Sequence, residues 1–240
     1  MRTETVTIPV GDLRMPAYVA RPDADRAPCV IVLQEIFGVN EDIRAVTELV
    51  GSAGYLAVAP AIFHRTDPAF EAGHDEAGYA KGRAARDETK PETLTADVEA
   101  TVTWLRAQQQ FEGGIATWGF CFGGSVAFLS ATLPSIDAAV SFYGGQIAGG
   151  PRYIDAFAEK LQSPILFAFG GKDAFIPIEA TREIEQRLTA LGKSFELHVY
   201  DDEDHGFFRH GPVGNEGSAD VWPRVRAFLE RHLRAAHSRV

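Results

Sequence analysis

At 240 residues, with 45% hydrophobic residues, the chain has the length and apolar content for one large globular domain, and no stretch of it is long enough to cross a membrane. A net charge of −10 argues against binding a phosphate backbone, which needs clustered Lys and Arg, and points instead to simple solubility. Two cysteines, Cys29 and Cys121, make no disulfide framework, and Glu4 and Asp12 interrupt the N-terminal stretch where a secretory leader would need an apolar run. The expectation is a cytoplasmic protein with neither a nucleic-acid nor a membrane partner; its oligomeric state is left open.

In chain order, residues 3–10 and 14–20 flank Gly11-Asp12 and read as an opening hairpin. Six short runs rich in Val, Ile and Phe then follow, at 28–34, 54–60, 114–120, 137–143, 163–170 and 195–201. Several are continuously apolar, as strands buried on both faces are. Helical periods separate them. Ile43, Val46, Thr47 and Val50 share one face, as do Val98, Val102 and Leu105; further on, Ile184, Leu188 and Leu191 do so, and near the end Val221, Trp222, Val225, Phe228 and Leu229. The alternation predicts a doubly wound, mostly parallel sheet of roughly eight strands with helices on both faces. Residues 64–93 break the pattern, because they contain no Val, Ile, Leu or Met and are rich in Gly and charge. A polar surface excursion able to hold a short helix is expected there.

The chemistry gathers at strand ends. The run 114–120 leads into GFCFGGS, Gly119 to Ser125, and then into a helical stretch. Cys121 therefore sits at a strand-to-helix corner whose glycines allow the sharp bend. The positive end of the following helix favours a thiolate there, and the Phe122 amide is a natural oxyanion donor. Asp173 lies just past the Gly170-Gly171 turn, and His205 lies in the polar loop after the last strand. Nucleophile, acid and histidine thus come in the order that α/β-hydrolase folds use. His205 would exchange a proton with Cys121, while Asp173 would hold the imidazole in its tautomer. Each has a plainer reading, Asp173 as a helix cap and His205 as one of seven histidines. Their order on three strand ends favours a triad. His64, His74, His198, His210, His232 and His237 have no matching acid loop, and Asp201, Asp202, Glu203 and Asp204 read as a solvated cluster.

Gln34 to Asn40 (QEIFGVN), the elbow GFCFGG, GGKDAFIP and DHGFF together resemble the dienelactone hydrolase family of α/β-hydrolases along nearly the whole chain. The resemblance implies cofactor-free hydrolysis of an anionic enol-lactone, 4-carboxymethylenebut-2-en-4-olide, to maleylacetate in the bacterial breakdown of catechols. It implies roles for Cys121, Asp173 and His205 as the triad. It gives the Ile36 amide as the second oxyanion donor, and Glu35 as the glutamate beside the resting thiol, which substrate displaces and which then takes the cysteine proton. A carboxylate so placed would also oppose thiolate formation by its charge. Arg209 resembles the arginine that holds the substrate carboxylate, a role its planar fork suits. The family's second arginine falls among Lys81, Arg83 and Arg86, with Arg83 the choice here. Phe37, Phe142 and Tyr143 are expected as apolar walls. Gly206 departs from members that carry serine after the histidine.

The competing readings are a broader carboxylesterase on the same scaffold, a ligand-binding relative without turnover, and a zinc protein. The last is disfavoured by the wide cysteine separation and by histidine spacings that match no metal motif.

Overall fold

The computed structural model describes residues 1–234, and His237 lies outside the described residues. Its eight strands are β1 (Arg2–Val10), β2 (Leu13–Arg21), β3 (Ala27–Leu33), β4 (Leu56–Pro60), β5 (Phe111–Phe120), β6 (Ala138–Phe142), β7 (Ile165–Gly170) and β8 (Phe195–Tyr200). They form one sheet in the order β1-β2-β4-β3-β5-β6-β7-β8. The β1/β2 hairpin is antiparallel and joins β4 antiparallel; from β4 to β8 every pairing is parallel. All eight expected strands are present. The continuous apolar runs are the central strands, whose residues are buried because helices cover both faces. The order reverses beside β3, and ligands bind at the carboxyl edge of such a switch point.

The helices are α1 (Glu41–Ser52), α2 (Glu76–Asp87), α3 (Pro91–Arg106), α4 (Phe122–Ser130), α5 (Tyr153–Phe157), α6 (Ile178–Ala190) and α7 (Glu216–Arg234). Their starts are written locally. Asn40 caps α1 by accepting the Ile43 amide at 3.2 Å, Asp75 caps α2 by accepting that of Gly78 at 2.7 Å, and Pro91 opens α3. Among the described residues no helix is long and apolar enough to cross a membrane.

The excursion at 64–93 differs from the expectation in one respect. Its outer face is polar and exposed, but Phe70, Gly78, Gly82 and Ala85 are buried, and Gly38 and Glu71 form a short antiparallel bridge that ties it to the loop after β3. A β-carbon on Gly82 would stand 2.4 Å from the Ile36 carbonyl. Helix α2 therefore docks through small residues rather than through Leu or Val, which is why its inner face carries no ordinary hydrophobic signature.

Candidate active site

Strand β5 ends at Phe120, and Cys121 makes the corner with φ 52° and ψ −113°, a conformation unusual for any residue with a side chain. Its amide donates to the Phe142 carbonyl at 3.0 Å. The corner closes so tightly that a β-carbon at Gly123 would lie 2.2 Å from the Leu33 carbonyl oxygen. The glycine frame thus packs α4 against the end of β3, and Cys121 is left partly exposed at the head of the helix. The other cysteine, Cys29, is fully buried in β3, and burial pushes its thiol far above the usual range.

Asp173 and His205 meet at the same edge. His205 Nδ1 lies 2.7 Å from Asp173 Oδ2, and Asp173 Oδ1 accepts the amides of Phe175 at 2.8 Å and Ile176 at 3.1 Å. One oxygen thus folds the turn that precedes α6 without capping that helix, whose N-cap position is Pro177, and the other faces the imidazole. Burial is the largest influence on His205 and works to lower its pKa. Hydrogen bonds to Asp173 and the Cys121 sulfur, with their charges, outweigh it and raise the imidazole to about 10.

Glu35 follows β3 and is 3% exposed. Its Oε2 lies 3.5 Å from Arg209 Nε, an ion pair without hydrogen-bond geometry: Glu35 Oε1 and Arg209 Nε both lack a hydrogen-bond partner. Burial opposes the Arg209 charge, and Glu35 more than offsets it, so the guanidinium pKa is raised. The partner of Arg209 is thus Glu35.

Cys121, His205, Glu35, Arg209, Ile36 and Phe122 line one cavity of about 440 Å³. Arg83 and Arg86 of α2 also reach it, whereas Lys81 turns away and sets its ammonium 4.9 Å from the centroid of the Phe70 ring. Three expected wall residues do not line it. Phe142 is fully buried among Trp118, Phe120 and Phe208. Phe37 packs on His74 and Tyr79 beneath α2. Tyr143 stands behind the wall, its ring centroid 5.0 Å from that of His205 and its hydroxyl buried without a partner. Its phenol pKa is raised well above normal, first by burial and next by the Glu35 charge. All three are large and apolar near a strand end, and such residues serve the core as readily as a pocket. The lining positions that the sequence did not single out are Tyr79, Ser125, Gln146 and Phe175, with Gly145, Gly149 and Gly150. Tyr79, Arg83 and Arg86 fall at i, i+4 and i+7 on α2, a helical spacing that could have found them.

Among the described residues, His205 is the histidine of this cavity; His64 lies against Asp97, His74 against Asp42 and His198 against Glu196. No group of three or more His, Cys, Asp or Glu among the described residues is arranged to hold a metal.

An eight-stranded, mostly parallel sheet covered by helices, with thiol, acid and histidine at its carboxyl edge, defines an α/β-hydrolase. The sequence profile of the dienelactone hydrolase family matches residues 15–233, and the chain belongs to that family. A Synechocystis sp. relative provisionally named a carboxymethylenebutenolidase is 38% identical over 98% of both chains. The carboxymethylenebutenolidase of Pseudomonas putida is 30% identical over 85% of this chain and 84% of its own. A crystal structure from Klebsiella pneumoniae, provisionally titled a dienelactone hydrolase, superposes with TM-score 0.83 at 30% identity, covering 96% of this chain and 98% of that one. The chain is accordingly a hydrolase of the carboxymethylenebutenolidase kind.

Proposed function

We propose that the protein opens an anionic enol-lactone of the dienelactone type, giving maleylacetate, through a Cys121 thioester and without a cofactor. The observation that carries this reading is one cavity lined by the Cys121 corner, by His205, whose Nδ1 lies 2.7 Å from the buried Asp173 carboxylate behind it, and by the cations Arg209 and Arg83. The substrate carboxylate docks on Arg209 and Arg83, competing with Glu35 for the first of them. The Cys121 thiolate, favoured by the α4 N-terminus and by imidazolium His205, forms a C–S bond at the lactone carbonyl. Charge develops on the carbonyl oxygen, where the amides of Ile36 and Phe122 would receive it. The ring C–O bond then breaks, and the enolate leaves with its electron pair. His205 gives it a proton, and the enol tautomerises to the ketone. Neutral His205 next takes a proton from water as the hydroxide adds to the thioester carbonyl; collapse expels the thiolate and frees the acid. In the alternative second half, the departing enolate itself helps to deprotonate the water.

The test is Cys121→Ala. It should abolish lactone opening without unfolding the chain, and retained turnover would overturn the assignment.

A broader carboxylesterase is the second reading, favoured by Phe175, an apolar side chain 66% exposed at the cavity rim. Turnover of dienelactone against neutral aryl esters separates the two.

A further inference from the structure

A buried polar cluster lies outside the cavity, and the reaction makes no direct use of it. His64 and Arg65 follow β4, and both approach Asp97 of α3. Arg65 Nη2 donates to Asp97 Oδ1 at 2.5 Å, and His64 Nε2 lies 3.2 Å from the same oxygen without hydrogen-bond geometry. The side chains of His64 and Asp97 are each 1% exposed. Among the described residues, neither ring nitrogen of His64 nor Asp97 Oδ2 has a hydrogen-bond partner. A cluster so poorly satisfied returns little stability for the desolvation it costs, and apolar side chains of the same volume would serve packing as well. What it does provide is one fixed geometry, and the residue fixed is Phe63. The Phe63 carbonyl accepts the amides of Thr66 and Asp67, each at 3.0 Å, and the His64 amide donates to the Ala61 carbonyl at 2.9 Å, so residues 61–67 are wound into one turn. The buried Phe63 ring meets Phe70 edge-on at 5.1 Å and stacks on Phe122 at 5.4 Å between centroids, with 21° between the planes.

We infer that Asp97 is a positioning residue for the hydrolysis: by holding His64 and Arg65 it seats Phe63, and through the Phe63 ring it aligns the Phe122 amide with the oxygen on which charge develops. Asp97 itself does not line the cavity. Helix α3 gives it a rigid base, because Leu94, Val98, Val102 and Leu105 bury the face on which Asp97 lies. The turn passes the position to Phe63 through its main-chain bonds, and the stacked rings pass it to Phe122, the first residue of α4. An oxyanion donor works only near its productive place, and a displacement of about 1 Å costs on the order of a hundredfold in rate. Formation and hydrolysis of the thioester both build an oxyanion, so the alignment bears on kcat whichever half of the reaction limits it. The inference rests on the thioester reading of the site.

Steady-state kinetics of the full chain on dienelactone and on 4-nitrophenyl acetate form the test. Asp97→Asn keeps the volume and weakens the hold on both partners; it should lower kcat about tenfold on each substrate with KM little changed. Phe63→Leu, which removes the stack and leaves the cluster, should lower kcat at least as much. The double variant should fall no more than about twofold below Phe63→Leu alone, because Asp97 has then lost the ring through which it acts. Alkylation of Cys121 by iodoacetamide displaces iodide at a saturated carbon and builds no oxyanion, so its rate should stay within about twofold of wild type in all three variants. A merely structural Asp97 would lower the unfolding midpoint and leave kcat alone. If Asp97→Asn does not fold, Arg65→Gln takes its place in the same cycle. An unaltered kcat, losses that multiply in the double variant, or alkylation that slows along with turnover would each overturn the inference. A wild type that hydrolyses 4-nitrophenyl acetate but opens no lactone would instead overturn the lactone reading alone, since the cycle is then read on the ester.

Discussion

Gln34 Oε1 accepts the backbone amide of Ile62 at 3.2 Å, and its Nε2 donates to the Glu35 carbonyl at 3.3 Å. This fully buried amide joins the loop after β3, which bears Glu35 and Ile36, to the loop after β4. The second loop continues into Phe63, whose ring stacks on Phe122 at 5.4 Å between centroids. The two proposed oxyanion donors, the amides of Ile36 and Phe122, are therefore held in one braced unit. Gln34→Leu keeps the volume and removes both bonds. The orphaned Ile62 amide should lower stability by about 1–3 kcal/mol. Displaced donors should lower kcat on the order of tenfold to a hundredfold with KM little changed. Chemical denaturation and steady-state kinetics measure the two effects; an unaltered kcat would reduce Gln34 to a packing residue.

The His205 proton is the next measurable quantity. Its pKa of about 10 rests on Asp173 and Cys121 acting against burial, so removing either partner should lower it. Cys121→Ala and Asp173→Asn should each bring the imidazole titration, followed by NMR, below the native value. The sign for stability follows from the raised value. The contribution is fully present below the unfolded pKa near 6.5, declines as pH rises, and is gone above about 10. Wild type should accordingly lose stability between those limits relative to His205→Gln. A wild-type imidazole titrating near 6.5 would remove the basis for a protonated His205 at rest.

How much of this was legible in the sequence depends on which physical signal each part leaves. The eight strands were legible because central parallel strands are buried on both faces and write unbroken apolar runs, as in β3 and β7. Cys121, Asp173 and His205 were legible because chain order and strand ends brought them to one edge. Helix α2 hid its inner face because Gly78, Gly82 and Ala85 pack by close approach, which hydrophobicity does not record. Phe37, Phe142 and Tyr143 were misplaced for the converse reason: aromatic bulk at a strand end records burial, not which side of the wall is buried.

Arg209 and Glu35 make a prediction in two parts. Removing the cation should raise KM for the anionic lactone roughly tenfold or more, the scale of a charge-assisted contact, while neutral aryl esters change little. It should also leave the buried Glu35 carboxylate without its counter-charge, lowering stability by about 3 kcal/mol. Glu35→Gln added to Arg209→Ala should recover most of that stability without recovering KM. Equal losses for anionic and neutral substrates would make Arg209 structural only.

Gly206 ties the histidine loop to the same arginine. It has φ +76°, and a β-carbon on it would stand 2.9 Å from Arg209 Nη2. The serine that some family members carry at this position would therefore do more here than add a hydroxyl: it would strain the turn and press on the guanidinium that pairs with Glu35. Gly206→Ser should cost about 1 kcal/mol or more of stability and raise KM for the anionic lactone. Gly206→Ala separates the causes, since it carries the same β-carbon without the hydroxyl. If alanine reproduces the KM change, displacement of Arg209 is responsible. If serine instead lowers KM below the glycine enzyme, the backbone and Arg209 have adjusted to it, and the glycine marks a substrate contact that this chain has given up.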